Sequence, residues 1–265
     1  MIGGSIDGPL GDGDVIPDYP WLKKTVRIPG ARFFSTTSYA LLADAVEEAC
    51  EDLGITIAYG NPGAGKTLAM RIAVLNRCRL PVTWFEPTYH PTLVALTEQL
   101  LVALGRRDLI GRPLRELIPP LLELLAIPRL IVLDEAQRLT VEAIDHLRYL
   151  SDLLDTNFAL ALAGGVHCME VLNSEPQLSR RCPLKTEFTP LDRDEIEEHM
   201  PRYHPMYEGL DARLLRRIDD EYAHGMIGNW ANMTKRLYVE MRRSGAAIVS
   251  EELIEAAFVR LDATD

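Results

Sequence analysis

The sequence predicts an α/β protein in which a parallel sheet is sandwiched by helices and is followed by a small helical domain. Short apolar segments alternate with helical patterns as far as residue 191, which is typical of parallel sheets with helical crossovers. A glycine-rich turn follows the first of these segments. After residue 191 only helical patterns remain, so the sheet is expected to end there.

The predicted strands are short, apolar and bounded by turn or helix signals. They span residues 55–59, 81–87, 129–135, 158–165 and 185–191. The predicted helices have apolar residues at the 3.6-residue spacing of one buried face. They span residues 39–53, 68–78, 91–104, 113–126 and 141–154 within the sheet region, and 192–200, 211–224, 230–243 and 251–262 after it.

These patterns divide the chain into three predicted parts. Residues 1–34 are a tail and an arm: the Gly-, Asp- and Pro-rich residues 1–20 have no periodicity and are expected to form a flexible tail, and residues 21–34 an ordered arm. Residues 35–191 are the predicted α/β domain. Residues 192–265 are the predicted helical domain.

The composition excludes several classes of protein. The 265 residues carry 28 Lys plus Arg against 39 Asp plus Glu, a net charge of −11. Nucleic-acid binding by bulk positive charge is therefore excluded, and any such binding needs a local basic surface. Pro and charged residues interrupt the most apolar stretch, residues 117–133, and the N-terminus lacks the pattern of a secretory signal. We expect no membrane segment and a cytoplasmic protein.

The cysteines and histidines give no sign of a metal site. None of the four cysteines forms a C-x-x-C pair, so reduced thiols are expected. The six histidines lack metal-ligand spacing. His199 and His204 are expected at the surface.

The most specific motif is GNPGAGKT at residues 60–67, which matches the Walker A pattern G-x-x-x-x-G-K-[ST]. A buried strand leads into it and a helix leads out, so a fortuitous glycine turn is the weaker interpretation. Backbone N–H groups of such a loop bind phosphate oxygens at a helix N-terminus. Lys66 is predicted to reach the β- and γ-phosphates, and Thr67 to ligate Mg²⁺. The predicted ATP-binding residues are Gly60, Asn61, Pro62, Gly63, Ala64, Gly65, Lys66, Thr67 and Leu68.

The second motif is LIVLDEA, in which Asp134 and Glu135 end an apolar strand. The carboxyl ends of parallel strands form the ligand edge of such a sheet. Asp134 is therefore predicted to hold Mg²⁺, and Glu135 to polarise the attacking water as the catalytic carboxylate. A helix cap is the alternative for this pair. Together the two motifs predict an ATPase.

Residues 35–245 resemble the AAA+ ATPases, because both motifs, the strand FALALAGG and the helical domain occur in the family's order. The resemblance implies a polar sensor at the tip of the fourth strand, where this chain has Ala163-Gly164-Gly165 instead. It also implies a catalytic arginine acting in trans on a neighbouring subunit, for which Arg180 and Arg181 are the candidates. Both could instead be solvated loop residues.

The family often carries a second sensor arginine after a Gly-Asn turn of the helical domain. Here that turn is Gly228-Asn229, and the arginine is absent from the usual place. The resemblance implies at most a weak nucleotide contact from Asn232. The two missing sensors favour slow hydrolysis.

Within this family the chain is most similar to the ATPases that regulate DNA transposition, the Mu B, TnsC and TniB type. The similarity lies in the order of four segments: PVTWFEPTYHPT, DEAQRL, IDHLRYLSDLLD and NSEPQLSRRCPLKTEFTPL. It implies an oligomer, a ring or helical filament, that assembles with ATP on duplex DNA of any sequence and recruits or activates a transposase. The candidate DNA-binding residues are Arg106, Arg107, Arg112, Arg115 and Arg138. Each could equally be a solvated surface residue.

Two alternatives stay open. The chain could be another DNA-associated AAA+ ATPase of the initiator or loader type, although an initiator's winged-helix domain is not expected after residue 265. It could also be a slow nucleotide switch acting on a protein partner.

Overall fold

The computed structural model describes residues 9–17, 28–169, 182 and 184–262. It divides into two compact units. The first, here called the sheet unit, comprises Thr37–Pro62 and Lys66–Phe188. The second, the helical unit, comprises Met1–Thr36, Gly63–Gly65 and Thr189–Asp265.

In the described part of the sheet unit, five parallel strands lie in the order β2-β3-β4-β1-β5. The strands are β1 Ile55–Gly60, β2 Val82–Phe85, β3 Arg129–Leu133, β4 Phe158–Gly164 and β5 Leu184–Phe188. The predicted fold class is therefore confirmed. β5 ends three residues before its predicted end, at the residue before Thr189-Pro190, since a proline cannot donate to the strand ladder.

The helices of this unit with described bounds are α1 Thr37–Asp52, α2 Lys66–Arg77, α3 Leu93–Ala103, α4 Leu114–Leu125 and α5 Val141–Ser151. Thr92 and Thr140 cap α3 and α5 by accepting a backbone N–H in the first turn. β4 is buried along its whole length, as a central parallel strand covered on both faces should be. Leucines of α3, α4 and α5 pack into the same core as β3 and β4.

The helical unit contains α6 Arg193–Tyr203, α7 Ala212–Ile218, α8 Ile227–Ser244 and α9 Glu251–Asp262. A capping box starts α6: Asp192 Oδ1 accepts from Glu195 N at 2.9 Å, and Glu195 Oε2 accepts from Asp192 N at 2.9 Å. The core centres on Trp230, which is fully buried and donates from Nε1 to Asp219 Oδ1 at 3.1 Å. The predicted helix 211–224 is helical from Ala212 to Ala223, but it changes from an α-helix to a π-helical segment after Ile218.

The predicted flexible tail is wrong for residues 9–17, which make specific contacts in the helical unit, although residues 11–15 are exposed. Leu10 is buried, and Val15 pairs with Arg32 in an isolated antiparallel bridge. Asp12 Oδ1 also accepts from Ser35 N at 2.8 Å. The aspartates of this segment thus satisfy backbone donors, a role that composition does not reveal.

The surface prediction for two histidines is also wrong, since His199 and His204 are both buried in the helical unit. His199 stacks on Phe34 with a centroid distance of 5.0 Å. His204 Nε2 lies 2.9 Å from Pro29 O, and its Nδ1 accepts from Met206 N at 3.1 Å. These two bonds require a neutral ring with the proton on Nε2. Among the described helices, none combines the length and the apolar character needed to cross a membrane.

Candidate nucleotide-binding site

The glycine-rich loop begins where β1 ends, and its first residue passes very close to β5. Gly60 has φ +147°, and a Cβ added to it would lie 2.3 Å from Phe188 O. Gly63 and Gly65 also have positive φ, +83° and +89°. Glycine adopts such angles at little cost, so the loop can turn sharply into α2. The helix starts at Lys66, two residues before its predicted start.

Lys66 is held by the loop itself. Its Nζ donates to Gly60 O at 2.9 Å and to Asn61 O at 2.8 Å. Burial lowers the pKa of Lys66, while Glu135 and Asp134 act in the opposite direction. The ammonium group therefore lies among the loop carbonyls, next to the backbone that would cradle a phosphate.

Thr67 and Asp134 meet at the carboxyl end of β3. Thr67 Oγ1 donates to Asp134 Oδ1 at 3.0 Å, although 66 residues separate them in the sequence. Asp134 is only 5% exposed, and burial raises the pKa of its carboxyl group. A buried carboxylate next to a hydroxyl oxygen fits Mg²⁺, which typically takes one or two protein oxygens, substrate phosphates and water.

Glu135 follows with a left-handed backbone, φ 59°, which is uncommon outside glycine. It lies at the N-cap of the short 3₁₀ helix Ala136–Arg138, but its side chain makes no capping bond. The helix-cap alternative therefore has no support from Glu135. Instead its carboxylate, 40% exposed, accepts from Gln137 Nε2 at 2.7 Å and lies 3.5 Å from Arg138 Nη2.

The tip of β4 carries a side-chain contact that the sequence did not predict. Gly164 and Gly165 have no side chain to act as a polar sensor, but Gln137 Oε1 accepts from Gly165 N at 2.8 Å. An amide from the neighbouring strand end thus lies at this tip. The signal available in the sequence was the glutamine two residues after Glu135 in DEAQ.

The predicted DNA-binding arginines lie in two different settings. Arg106, Arg107, Arg112 and Arg115 lie between the end of α3 and the first turn of α4, and Arg115 is 85% exposed. Arg106 pairs with Asp108 through two bonds of 2.9 Å, and Arg112 lies 3.4 Å from Glu116.

Arg138 instead contacts residues that follow β2 and β3. It donates to Pro87 O at 3.3 Å and lies 3.9 Å from Glu86, besides its contact with Glu135. The structure therefore does not group Arg138 with the four arginines around α4. Arg180 and Arg181 lie outside the described residues. Asn232 is exposed on α8.

Residues 50–172 match the family model described as an AAA domain. The chain has the P-loop AAA fold. Its Walker A residues Lys66 and Thr67 and its Walker B residues Asp134 and Glu135 all lie within the matched range. No curated protein matches the chain.

Solved structures share this AAA fold at low sequence identity. Cdc6p from Pyrobaculum aerophilum is 18% identical with a TM-score of 0.68, over 92% of this chain and 71% of that one. The ORC2 protein of Aeropyrum pernix in its ADP form is 19% identical with a TM-score of 0.62, over 87% and 69%. The Thermotoga maritima RuvB Holliday junction branch migration motor is 14% identical with a TM-score of 0.54, over 84% and 68%.

Proposed function

We propose that the chain binds ATP with Mg²⁺ and hydrolyses it. The observation that carries this proposal is the 3.0 Å contact between Thr67 and Asp134, with Glu135 next along the chain. The loop from Gly60 to Thr67 would bind the phosphates through its N–H groups, and Lys66 would add a positive charge. Thr67 and Asp134 would hold Mg²⁺, which neutralises developing phosphate charge when bound. Glu135 would accept a proton from the attacking water.

Variants of this site test the proposal directly. Lys66→Ala should abolish binding of a fluorescent ATP analogue, whereas Lys235→Ala, an exposed lysine on α8, should bind normally. Glu135→Gln should bind ATP with unchanged Kd and lose about 10²–10⁴ in turnover, the range for a general base. Normal turnover by Glu135→Gln would remove Glu135 from its proposed role. Normal binding by Lys66→Ala would overturn the phosphate-loop assignment.

We further propose that the ATP-bound protein assembles on duplex DNA as a ring or filament and recruits or activates a transposase. The transposition-regulator resemblance supports this, as does the exposed segment 106–115, which has four arginines and a single acidic residue. One matched structure is of a Holliday junction motor, so the same fold acts on DNA in that protein. Repetition around an assembly would multiply weak contacts from each copy.

A charge-matched pair of triple variants tests the DNA proposal. Substituting Arg107, Arg112 and Arg115 by Ala should weaken DNA binding, while substituting Arg193, Arg213 and Arg216 of the helical unit should not. Both variants lose three positive charges, so net charge cannot explain a difference. The slope of log K against log salt should fall by roughly 0.9 for each DNA phosphate that a copy of the variant no longer neutralises. An equal loss of DNA affinity in the two triple variants would refute the assignment of DNA binding to segment 106–115.

The remaining alternatives differ in what stimulates hydrolysis. Steady-state turnover should rise with duplex DNA of any sequence if the protein assembles on DNA. Stimulation only by an origin-like sequence would favour an initiator, the second candidate, because ORC2 and Cdc6p share this fold. ATP binding with no effect of DNA would favour a switch acting on a protein partner.

Arg180 and Arg181 are proposed to complete the site of a neighbouring subunit. Each Ala variant should hydrolyse ATP slowly alone, since such an arginine is worth ~10³–10⁵ in related reactions. Mixing either variant with Glu135→Gln should restore part of the activity, because each partner supplies what the other lacks. No recovery for either variant would contradict action in trans.

A further inference from the structure

The side-chain amide of Gln137 joins two strand ends at the catalytic edge. Its Oε1 accepts from Gly165 N, just past β4, at 2.8 Å, and its Nε2 donates to Glu135 Oε2 at 2.7 Å. A backbone N–H can only donate and an ionised carboxylate can only accept. These two partners therefore fix the amide orientation, with its NH₂ group toward Glu135.

The glycines at the tip of β4 make room for this amide. A Cβ added to Gly164 would lie 3.1 Å from both Gln137 N and Gln137 Oε1, and 3.1 Å from Cys168 Cβ. A Cβ on Gly165 would come no closer than 3.8 Å to Gln137, an ordinary contact. A side chain at Gly164 would therefore displace Gln137, whereas one at Gly165 would not.

We propose that Gln137 is the positioning residue for Glu135 and takes the place of the polar side chain missing from β4. This inference rests on the proposed ATP hydrolysis. Glu135 Oε2 is contacted by Gln137 Nε2 at 2.7 Å and by Arg138 Nη2 at 3.5 Å. The Nη1 atom of Arg138 also lies 3.9 Å from Glu86 Oε2. Removing the amide takes away the shorter of these two contacts and the link to Gly165, so we expect the carboxylate to lose its fixed position beside the end of β4.

The primary test is Gln137→Met, which keeps the length and volume of the side chain and removes both hydrogen bonds. Turnover should fall about 10–10²-fold, the effect of a displacement near 1 Å, while the Kd for ATP stays within twofold. In the Glu135→Gln background the same substitution should change turnover less than twofold, because the group on which it acts is already absent. A purely structural role would lower activity in both backgrounds.

A second pair of variants leaves Gln137 in place. Gly164→Ala should reproduce the fall in turnover by displacing the amide, and Gly165→Ala is its control with ordinary contacts. This pair decides the matter if Gln137→Met fails to fold. Wild-type turnover by both Gln137→Met and Gly164→Ala, or an equal fall in both Glu135 backgrounds, overturns the Gln137 assignment alone. A wild-type protein that binds no ATP, or binds it without hydrolysis, overturns the proposed function and this inference together.

Discussion

The close approach of Gly60 to β5 predicts that an alanine at this position costs both stability and activity. The added Cβ would lie 2.3 Å from Phe188 O, about 1 Å inside an ordinary C···O contact. A non-glycine residue at φ +147° adds strain of about 1–3 kcal/mol. Moving β5 back by that distance breaks at least one ladder hydrogen bond, worth about 0.5–1.5 kcal/mol. Gly60→Ala should therefore lower the free energy of unfolding by about 2–4 kcal/mol.

A second glycine of the sheet unit allows the cost of backbone strain to be measured without the cost of a steric clash. Gly105 also has positive φ, +94°, but nothing lies within 4 Å of an added Cβ. Gly105→Ala should show strain alone, so Gly60→Ala should cost about 1 kcal/mol more in urea unfolding followed by circular dichroism. ATP turnover should fall about 10²-fold for Gly60→Ala, because the displaced loop carries the phosphate-binding groups, and should stay unchanged for Gly105→Ala. Equal unfolding costs for the two variants would refute the argued contact with β5.

Three further predictions concern a histidine, a pair of cysteines and a tryptophan. Burial lowers the pKa of His204 below its usual 6.5, so the unfolded chain takes up a proton before the folded protein does. The free energy of unfolding, measured in urea, should therefore fall as the pH drops below about 6.5, and it should fall less for His204→Gln; an equal fall in both proteins would contradict the prediction. The thiol of Cys50 donates to Cys78 Sγ at 3.2 Å, and this bond lowers the pKa of Cys78. Iodoacetamide at neutral pH should therefore label Cys78 first, and Cys50→Ala should slow that labelling. Preferential labelling of Cys50 would contradict the direction of the hydrogen bond. Trp230→Ala should cost about 3–5 kcal/mol by urea unfolding, and a cost below 1 kcal/mol would show that this core collapses around the gap.

Local pattern was enough for most of the fold. Alternating apolar segments and helical faces predicted each strand and helix to within a few residues, because burial imposes a period on the sequence wherever an element covers a core. The predictions were wrong where a polar or charged residue has a specific partner far along the chain. His204 reaches Pro29, and Asp12 reaches Ser35. Periodicity carries no information about such pairs.

The site divides in the same way. The loop at 60–67 and the carboxylates after β3 were predictable, since phosphate binding and strand-end placement each need particular residue types at a fixed local spacing. Asp134 and Thr67 were assigned one ion from their chemistry, and their contact is found at 3.0 Å. The bond between Gln137 and Gly165 was not predictable, because it depends on which strand lies beside β3.

The sequence by itself thus determined the class of fold, the glycine-rich loop and the acidic pair, because each depends on residue types at a fixed local spacing. Only the tertiary structure decided the strand order, which brings β4 next to β3 and so places Gly165 within reach of Gln137. The physical reason is that strand neighbours are chosen by packing and ladder pairing across the whole sheet. A bond between two strand ends is therefore set by the assembled sheet and not by the segment that carries the residue.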